Sequence, residues 1–206
     1  IPRFFLIKSI NYLYSIYSSI MSCDPNTFNK KDYDSGDGML TSVWGPSLWH
    51  SIHTMSFNYP VKPTAREKSK YFNFIHSLKA VLPCKYCREN LSKNLKAIKF
   101  TIKDMECRES FSMAMYKLHE EVNRMLGKKS NLTFSEVRDR YETFRARCLD
   151  DKGSKVKFHD KKTKKREKGC VKPLHGVKSK CVIKIVPKDK KCNTFQMDPK
   201  CKLSRK

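Results

Sequence analysis

Acidic side chains are scarce in this 206-residue chain: 20 Asp and Glu face 44 Lys and Arg, a formal net charge of +24. The deficit is uneven. Residues 149–206 carry a net +14 and residues 1–148 a net +10, so the last quarter reads as a basic appendage. Long apolar runs are missing as well. Residues 1–20 are aromatic and apolar, but Arg3 and Lys8 leave no clean run long enough to span a bilayer. That stretch shows no small-x-small cleavage site, and three readings of it stay open: sequence upstream of a start at Met21, a signal or anchor segment over 1–21, or an amphipathic helix. No strand-like alternation appears between residues 44 and 148, which argues against a parallel-sheet redox fold. A second CxxC and a regularly spaced His pair are both absent, which weakens any zinc site and leaves no metal site expected.

Cysteine, by contrast, is abundant. Nine is many for a reducing cytosol, and an odd count leaves at least one unpaired if the rest bridge within the chain. Two of them stand in Leu82-Pro83-Cys84-Lys85-Tyr86-Cys87-Arg88, a CxxC that follows a proline and opens a predicted helix. That spacing places both sulfurs on one helical turn, close enough for a small disulfide, and a helix N-terminus favours a thiolate. The local chemistry is that of an exchanging dithiol; half of a zinc site or a pair of buried thiols are the alternatives.

The apolar 39% of the chain suffices for a real core, and its periodicity is helical. A first helix is predicted from Trp44-Gly45-Pro46, with Trp49, Ile52, His53 and Ser56 on one face and Pro60 beyond its end. Thr64 and Glu67 make a capping box for a second, striped by Tyr71, Ile75, Leu78 and Leu82. The CxxC helix carries Cys87, Leu91, Leu95 and Ile98 on its core face, so dithiol and core stripe coincide. Phe111, Met115, Leu118, Val122 and Met125 mark a fourth helix with Gly127 as its cap, on which His119 and Asn123 project side by side. Thr133 and Glu136 open a shorter fifth, predicted to run through Tyr141 and Phe144 to Cys148. Taken alone, an aromatic and His stripe of this kind is more often core packing than a cofactor site, and a polar pair such as His119 and Asn123 more often a solvated flank.

Trp44-Gly45-Pro46-x-x-Trp49-x-x-x-His53, Tyr59-Pro60, Pro83-Cys84-x-x-Cys87-Arg88 and Leu118-His119-x-x-Val122-Asn123-x-x-Leu126-Gly127-Lys128 occur in one order and spacing. Over roughly residues 40–148 this resembles the FAD-linked sulfhydryl oxidases of the Erv/ALR family. The resemblance implies an all-α fold, a four-helix bundle with a short fifth helix, that binds FAD and forms homodimers. It implies that Trp44, Gly45, Trp49, His53 and Tyr59 line the flavin pocket. His119, Asn123 and Lys128 would hold the adenosine end, and Arg140 with Tyr141 would close the site. Cys87 would face the isoalloxazine ring and Cys84 would meet the incoming thiols of a dithiol protein, either a thioredoxin-like carrier or a viral protein, with O2 as the final acceptor. The chain also departs from the family pattern. Glu120 stands where the family has an Asn, Tyr116 and Phe134 stand where cellular members have a disulfide, and no shuttle CxxC exists. Members lacking both look most like those of large cytoplasmic DNA viruses, which implies a virion and host-cytoplasm location; a signal segment over 1–21 would imply an oxidising compartment instead.

Composition divides off an extended or flexible arm over 1–42 and an irregular, basic, cysteine-containing extension over 149–206, and the resemblance implies an FAD-binding oxidase domain over 43–148 between them. In the extension Cys170, Cys181 and Cys192 recur every eleven residues and Cys201 follows. Val182–Val186 alternates like a short strand, and 161–166 is a charge run that could meet nucleic acid, an acidic protein or an anionic surface. One of Cys23, Cys170, Cys181, Cys192 and Cys201 is a candidate for the missing shuttle. Two rival functions remain: a basic virion or nucleic-acid-binding protein on an oxidase-like scaffold, and a flavin-free thiol carrier.

Overall fold

The apolar stripes become five helices. The computed structural model describes residues 30–149, 169–182, 184–187, 189–190 and 196–201. In a first unit, ending at Gly38, the described part is a single five-residue helix, Lys30–Asp34, within the stretch expected to be a loop. The second unit, from Met39 on, holds the bundle: α1 Thr41–Phe57, α2 Ala65–Val81, α3 Lys85–Ala97, α4 Arg108–Met125 and α5 Phe134–Glu142. A 3-10 turn over Ile102–Met105 joins α3 to α4.

Capping sets most of the boundaries. Thr64 and Thr133 each accept the N3 backbone N–H while Glu67 and Glu136 reach back to the cap, so both expected capping boxes form. At the far end of α4 the Lys128 N–H donates to the Asn123 carbonyl at 2.8 Å and the Gly127 N–H to that of Arg124 at 3.1 Å, with Gly127 at φ +65°. This is a Schellman ending, which needs the left-handed conformation glycine adopts cheaply. Two boundaries differ from expectation. Helix α1 starts at Thr41, one turn before Trp44, because a Val43 N–H to Leu40 carbonyl bond at 3.0 Å closes an earlier turn; Pro46 therefore sits inside the helix. Helix α5 stops at Glu142 instead of reaching Cys148. There the Thr143 hydroxyl turns back onto the Arg140 carbonyl at 2.6 Å, and Arg145 is drawn off to the Phe57 carbonyl at 2.8 Å while also pairing with Glu142. The chain leaves the helical path and forms β1, Ala146–Leu149, which pairs antiparallel with β2, Gly169–Pro173. So a strand does begin before residue 148. The alternation over Val182–Val186 forms none among its described residues; Val182 and Ile185 are exposed.

The core is drawn from α1 to α4. Tyr59, Ile75, Met105, Phe111, Met115 and Leu118 are almost wholly buried. Tyr59 meets Tyr71 and Phe111 edge-on at 4.8 and 5.1 Å and donates its hydroxyl to the Met105 carbonyl at 3.0 Å. Burial holds its phenol up at about 12, so it stays a donor. Tyr59→Phe strands that buried carbonyl, and chemical denaturation should show a loss of about 1–3 kcal/mol. Tyr116 and Phe134 meet edge-on at 5.8 Å, and the Tyr116 hydroxyl donates to the Leu132 carbonyl at 2.7 Å. Two rings thus join α4 to the start of α5 by packing, at the positions where the resemblance puts a disulfide in cellular members.

Candidate active site

Helix α1 presents Trp49 and His50 four and three residues before His53, and Phe57 four after it, so all border one face. Across from them α4 supplies His119 and α5 supplies Tyr141. The Trp49 indole stacks on the His119 ring, centroids 4.1 Å apart and planes 4° off parallel. His53 Nε2 and His119 Nδ1 share a proton across 3.0 Å, the Tyr141 ring lies 5.3 Å from that of His53 and 5.3 Å from that of Phe57, and the Tyr141 hydroxyl meets His50 Nδ1 at 3.3 Å.

Burial makes both imidazoles of the pair neutral. Loss of water, with His119 and His50 as further causes, pushes His53 down to about 3; loss of water takes His119 down to about 4 against an opposing pull from Glu120. Burial also raises Tyr141 to about 12. Because one His must donate and the other accept, the pair shares a single proton. His53 is 4% exposed, and its Nδ1 has no hydrogen-bond partner. A buried imidazole nitrogen without a partner, beside stacked indole and imidazole planes, fits a flat heteroaromatic ligand that carries its own polar edge.

The dithiol is built by the start of α3. Cys84 is the N-cap, and its Sγ accepts the Cys87 N–H at 3.2 Å. The Cys87 thiol lies 2.7 Å from the same sulfur and donates to it. A disulfide needs about 2.05 Å, so oxidation asks for a sub-ångström approach. Burial first, then that hydrogen bond and the charge on Cys84, pushes Cys87 up to about 12, with Arg88 opposing. The reduced pair therefore keeps its proton on Cys87 and offers Cys84 as the acceptor sulfur. The turn is anchored: the Met39 N–H donates to the Pro83 carbonyl at 2.7 Å and Arg88 Nη1 to the Leu82 carbonyl at 2.6 Å. Cys87 packs against the same core cluster as Trp49.

Of the residues singled out from the sequence, Trp49, His53, His119 and Tyr141 come together. Arg140 is close enough to Tyr141 to lower its pKa, against the larger effect of burial. Trp44 is half-buried against the core and donates its indole N–H to the Met39 carbonyl at 3.0 Å. Tyr59 belongs to the core, its ring contacts made with Tyr71 and Phe111 and not with the histidine group. Open space surrounds the Gly45 Cα. Asn123 gives its amide to Glu120 Oε1 at 3.1 Å, so the carboxylate that replaces an amide finds an amide partner. Lys128 is exposed, fixed only at its backbone on the Asn123 carbonyl. Among the shuttle candidates, Cys170 is bridged to Cys148, Cys181 is free and exposed, Cys201 is free and half-buried, and Cys23 and Cys192 lie outside the described residues. Among the described residues no cluster of three or more potential metal ligands exists. Sequence reasoning missed His50, whose signal was its place three residues before His53. It also missed Asn90, nine-tenths buried one turn after Cys87 with an unpartnered Nδ2; a polar residue on an apolar stripe was the available sign.

A family model described as the Erv1 / Alr family matches residues 46–142. Over 99 residues the chain is 33% identical to a probable FAD-linked sulfhydryl oxidase of Acanthamoeba polyphaga mimivirus, covering 48% of this chain and 68% of that protein. Over 90 residues it is 30% identical to a putative FAD-linked sulfhydryl oxidase of Invertebrate iridescent virus 6, covering 42% and 81%. Identity to the mitochondrial FAD-linked sulfhydryl oxidase of Saccharomyces cerevisiae is 28% over 95 residues, 46% of this chain and 49% of that one, so the match spans about half the yeast protein's length.

Proposed function

The chain belongs to the Erv1 / Alr family, and from that premise we propose that it is an FAD-dependent thiol oxidase that introduces disulfides into dithiol proteins and passes the electrons to O2, giving H2O2. The observation that carries the reading is the pairing of two built features: a CxxC pair with its proton parked on the inner sulfur, and a Trp49–His119 stack hydrogen-bonded to His53, whose other ring nitrogen is buried and unpartnered.

Trp49, His53, His119 and Tyr141 would hold the cofactor, with Asn123, Lys128 and Arg140 at its other end. Bound FAD supplies a two-electron acceptor that O2 can reoxidise. The chain's own chemistry is thiol–disulfide exchange. In the oxidised enzyme a substrate thiolate attacks Cys84 Sγ, the Cys84–Cys87 bond breaks, and Cys87 leaves and takes up a proton. The second substrate thiolate then attacks the substrate sulfur of the mixed disulfide and releases Cys84. Substrate leaves with a disulfide, and the enzyme holds the dithiol. The helix N-terminus at Cys84 stabilises the departing sulfur, and burial of Cys87 keeps incoming thiols on the outer sulfur. The neutral His53–His119 pair adds no charge to the face that would receive a flat ring. We take a second copy of this chain as a further partner.

The test is the visible spectrum of the purified full-length chain together with oxygen uptake on dithiothreitol. A yellow protein that consumes oxygen supports the reading; a colourless one that fails to take up added FAD contradicts it. Trp49→Ala should weaken FAD retention by at least about tenfold, since a lost aromatic stack costs about 0.5–1.5 kcal/mol beyond the buried area it supplied.

A further inference from the structure

Three cysteines outside the CxxC meet at the junction of hairpin and tail. Cys148 on β1 and Cys170 on β2 form a disulfide, and both residues are exposed. Cys170 also lines a cavity of about 160 Å³ whose wall includes His175 and the free thiol residue Cys201. Cys201 is delivered there by specific contacts. It ends a 3-10 turn, Pro199–Cys201, in which its own N–H donates to the Asp198 carbonyl at 2.9 Å, and the Val177 N–H donates to the Lys200 carbonyl at 3.2 Å. Gly176, at φ +65°, lets the turn approach: a Cβ built there would stand 2.3 Å from the Lys200 carbonyl oxygen. Only glycine combines that conformation with that clearance. Cys170 is thus bonded to one cysteine and shares a cavity wall with another whose thiol is free.

We propose that Cys148, Cys170 and Cys201 form a second thiol–disulfide exchange centre, in which the bridge passes between Cys148–Cys170 and Cys170–Cys201. The Cys201 thiolate attacks Cys170 Sγ, the Cys170–Cys201 bond forms, the Cys148–Cys170 bond breaks, and Cys148 leaves as the thiolate and takes up the proton that Cys201 lost. Nothing is oxidised or reduced overall. His175, on the wall of the same cavity, supplies a side chain able to carry that proton. The exchange moves the free thiol from a half-buried turn to an exposed strand, where the disulfide of another protein can reach it.

Disulfide mapping of the full-length chain, quenched in acid, alkylated and digested, tests this without reference to oxidase activity. Unmutated protein equilibrated with a trace of dithiothreitol should yield both Cys148–Cys170 and Cys170–Cys201 peptides. Cys148→Ser should leave Cys170 bridged to Cys201 in most molecules. Gly176→Ala should displace the turn and lower the Cys170–Cys201 peptide at least about tenfold, because exchange between held thiols depends on proximity, while Cys148–Cys170 persists. The proposal is overturned if no Cys170–Cys201 peptide forms in unmutated protein, or if Cys148→Ser leaves Cys201 alkylated and Cys170 either alkylated or joined to Cys181 or Cys192.

Discussion

Cys87→Ser is expected to abolish dithiol-driven oxygen uptake, by about three orders of magnitude or more, while the protein keeps its FAD. Both cysteines are half-buried, Cys87 packs against the core cluster, and serine in its place can neither form the disulfide nor carry its electrons. Cys84→Ala should be as damaging to turnover, yet it has a second signature. Burial is the largest cause of the raised Cys87 value, and the hydrogen bond and charge of Cys84 come next. Removing Cys84 deletes the latter two and leaves burial. The pH profile of Cys87 alkylation by iodoacetamide should therefore shift to lower pH than in the reduced wild type, while staying above that of an ordinary thiol. An unshifted profile would mean that the two sulfurs do not share a proton.

The second large effect is acid lability above the carboxylate range. His53 and His119 bind a proton in the unfolded chain near 6.5 but in the folded protein only near 3 and 4. As pH falls below 6.5 the unfolded state takes up protons that the folded state refuses, so stability present above 6.5 is lost progressively down to about 4 for His119 and about 3 for His53. Each such group contributes up to about 1.4 kcal/mol per pH unit in that window, and His50 and His76, lowered by burial, add in the same direction. The hydrogen-bonded carboxylates Glu67, Glu121, Glu136 and Glu142, all lowered from 4.5, add their losses only at more acid pH. Denaturation midpoints should thus fall steeply between pH 6.5 and 5, and His53→Gln should flatten that slope. A midpoint flat over this range would mean that the histidines are solvated.

How much of this was legible beforehand follows from where the controlling interactions sit. Caps are local, so Thr64–Glu67, Thr133–Glu136 and Gly127 could be read from a few adjacent residues. The stripes that bury Ile75, Leu91, Phe111 and Met115 are equally local, and so is the CxxC turn. The stacking of Trp49 on His119 joins residues 70 apart in sequence, and only the resemblance, not periodicity, pointed to it. What failed was decided at long range. Helix α5 stops short of Cys148 because Arg145 is captured by the carbonyl of Phe57 at the end of α1, which no window around residue 145 contains. The alternation at Val182–Val186 finds no strand to pair with among the described residues, and the hairpin partner of β1 lies instead at Gly169–Pro173.

The central claim is that Cys84 and Cys87 pass electrons to a flavin held by Trp49, His53 and His119. Its most direct measurement is the anaerobic titration of the full-length yellow protein with dithiothreitol, followed by the visible flavin band. Bleaching in the wild type, with return of colour on admitting air and no bleaching in Cys87→Ser, is the result predicted. A Cys87→Ser protein that bleaches at the wild-type rate would contradict the account.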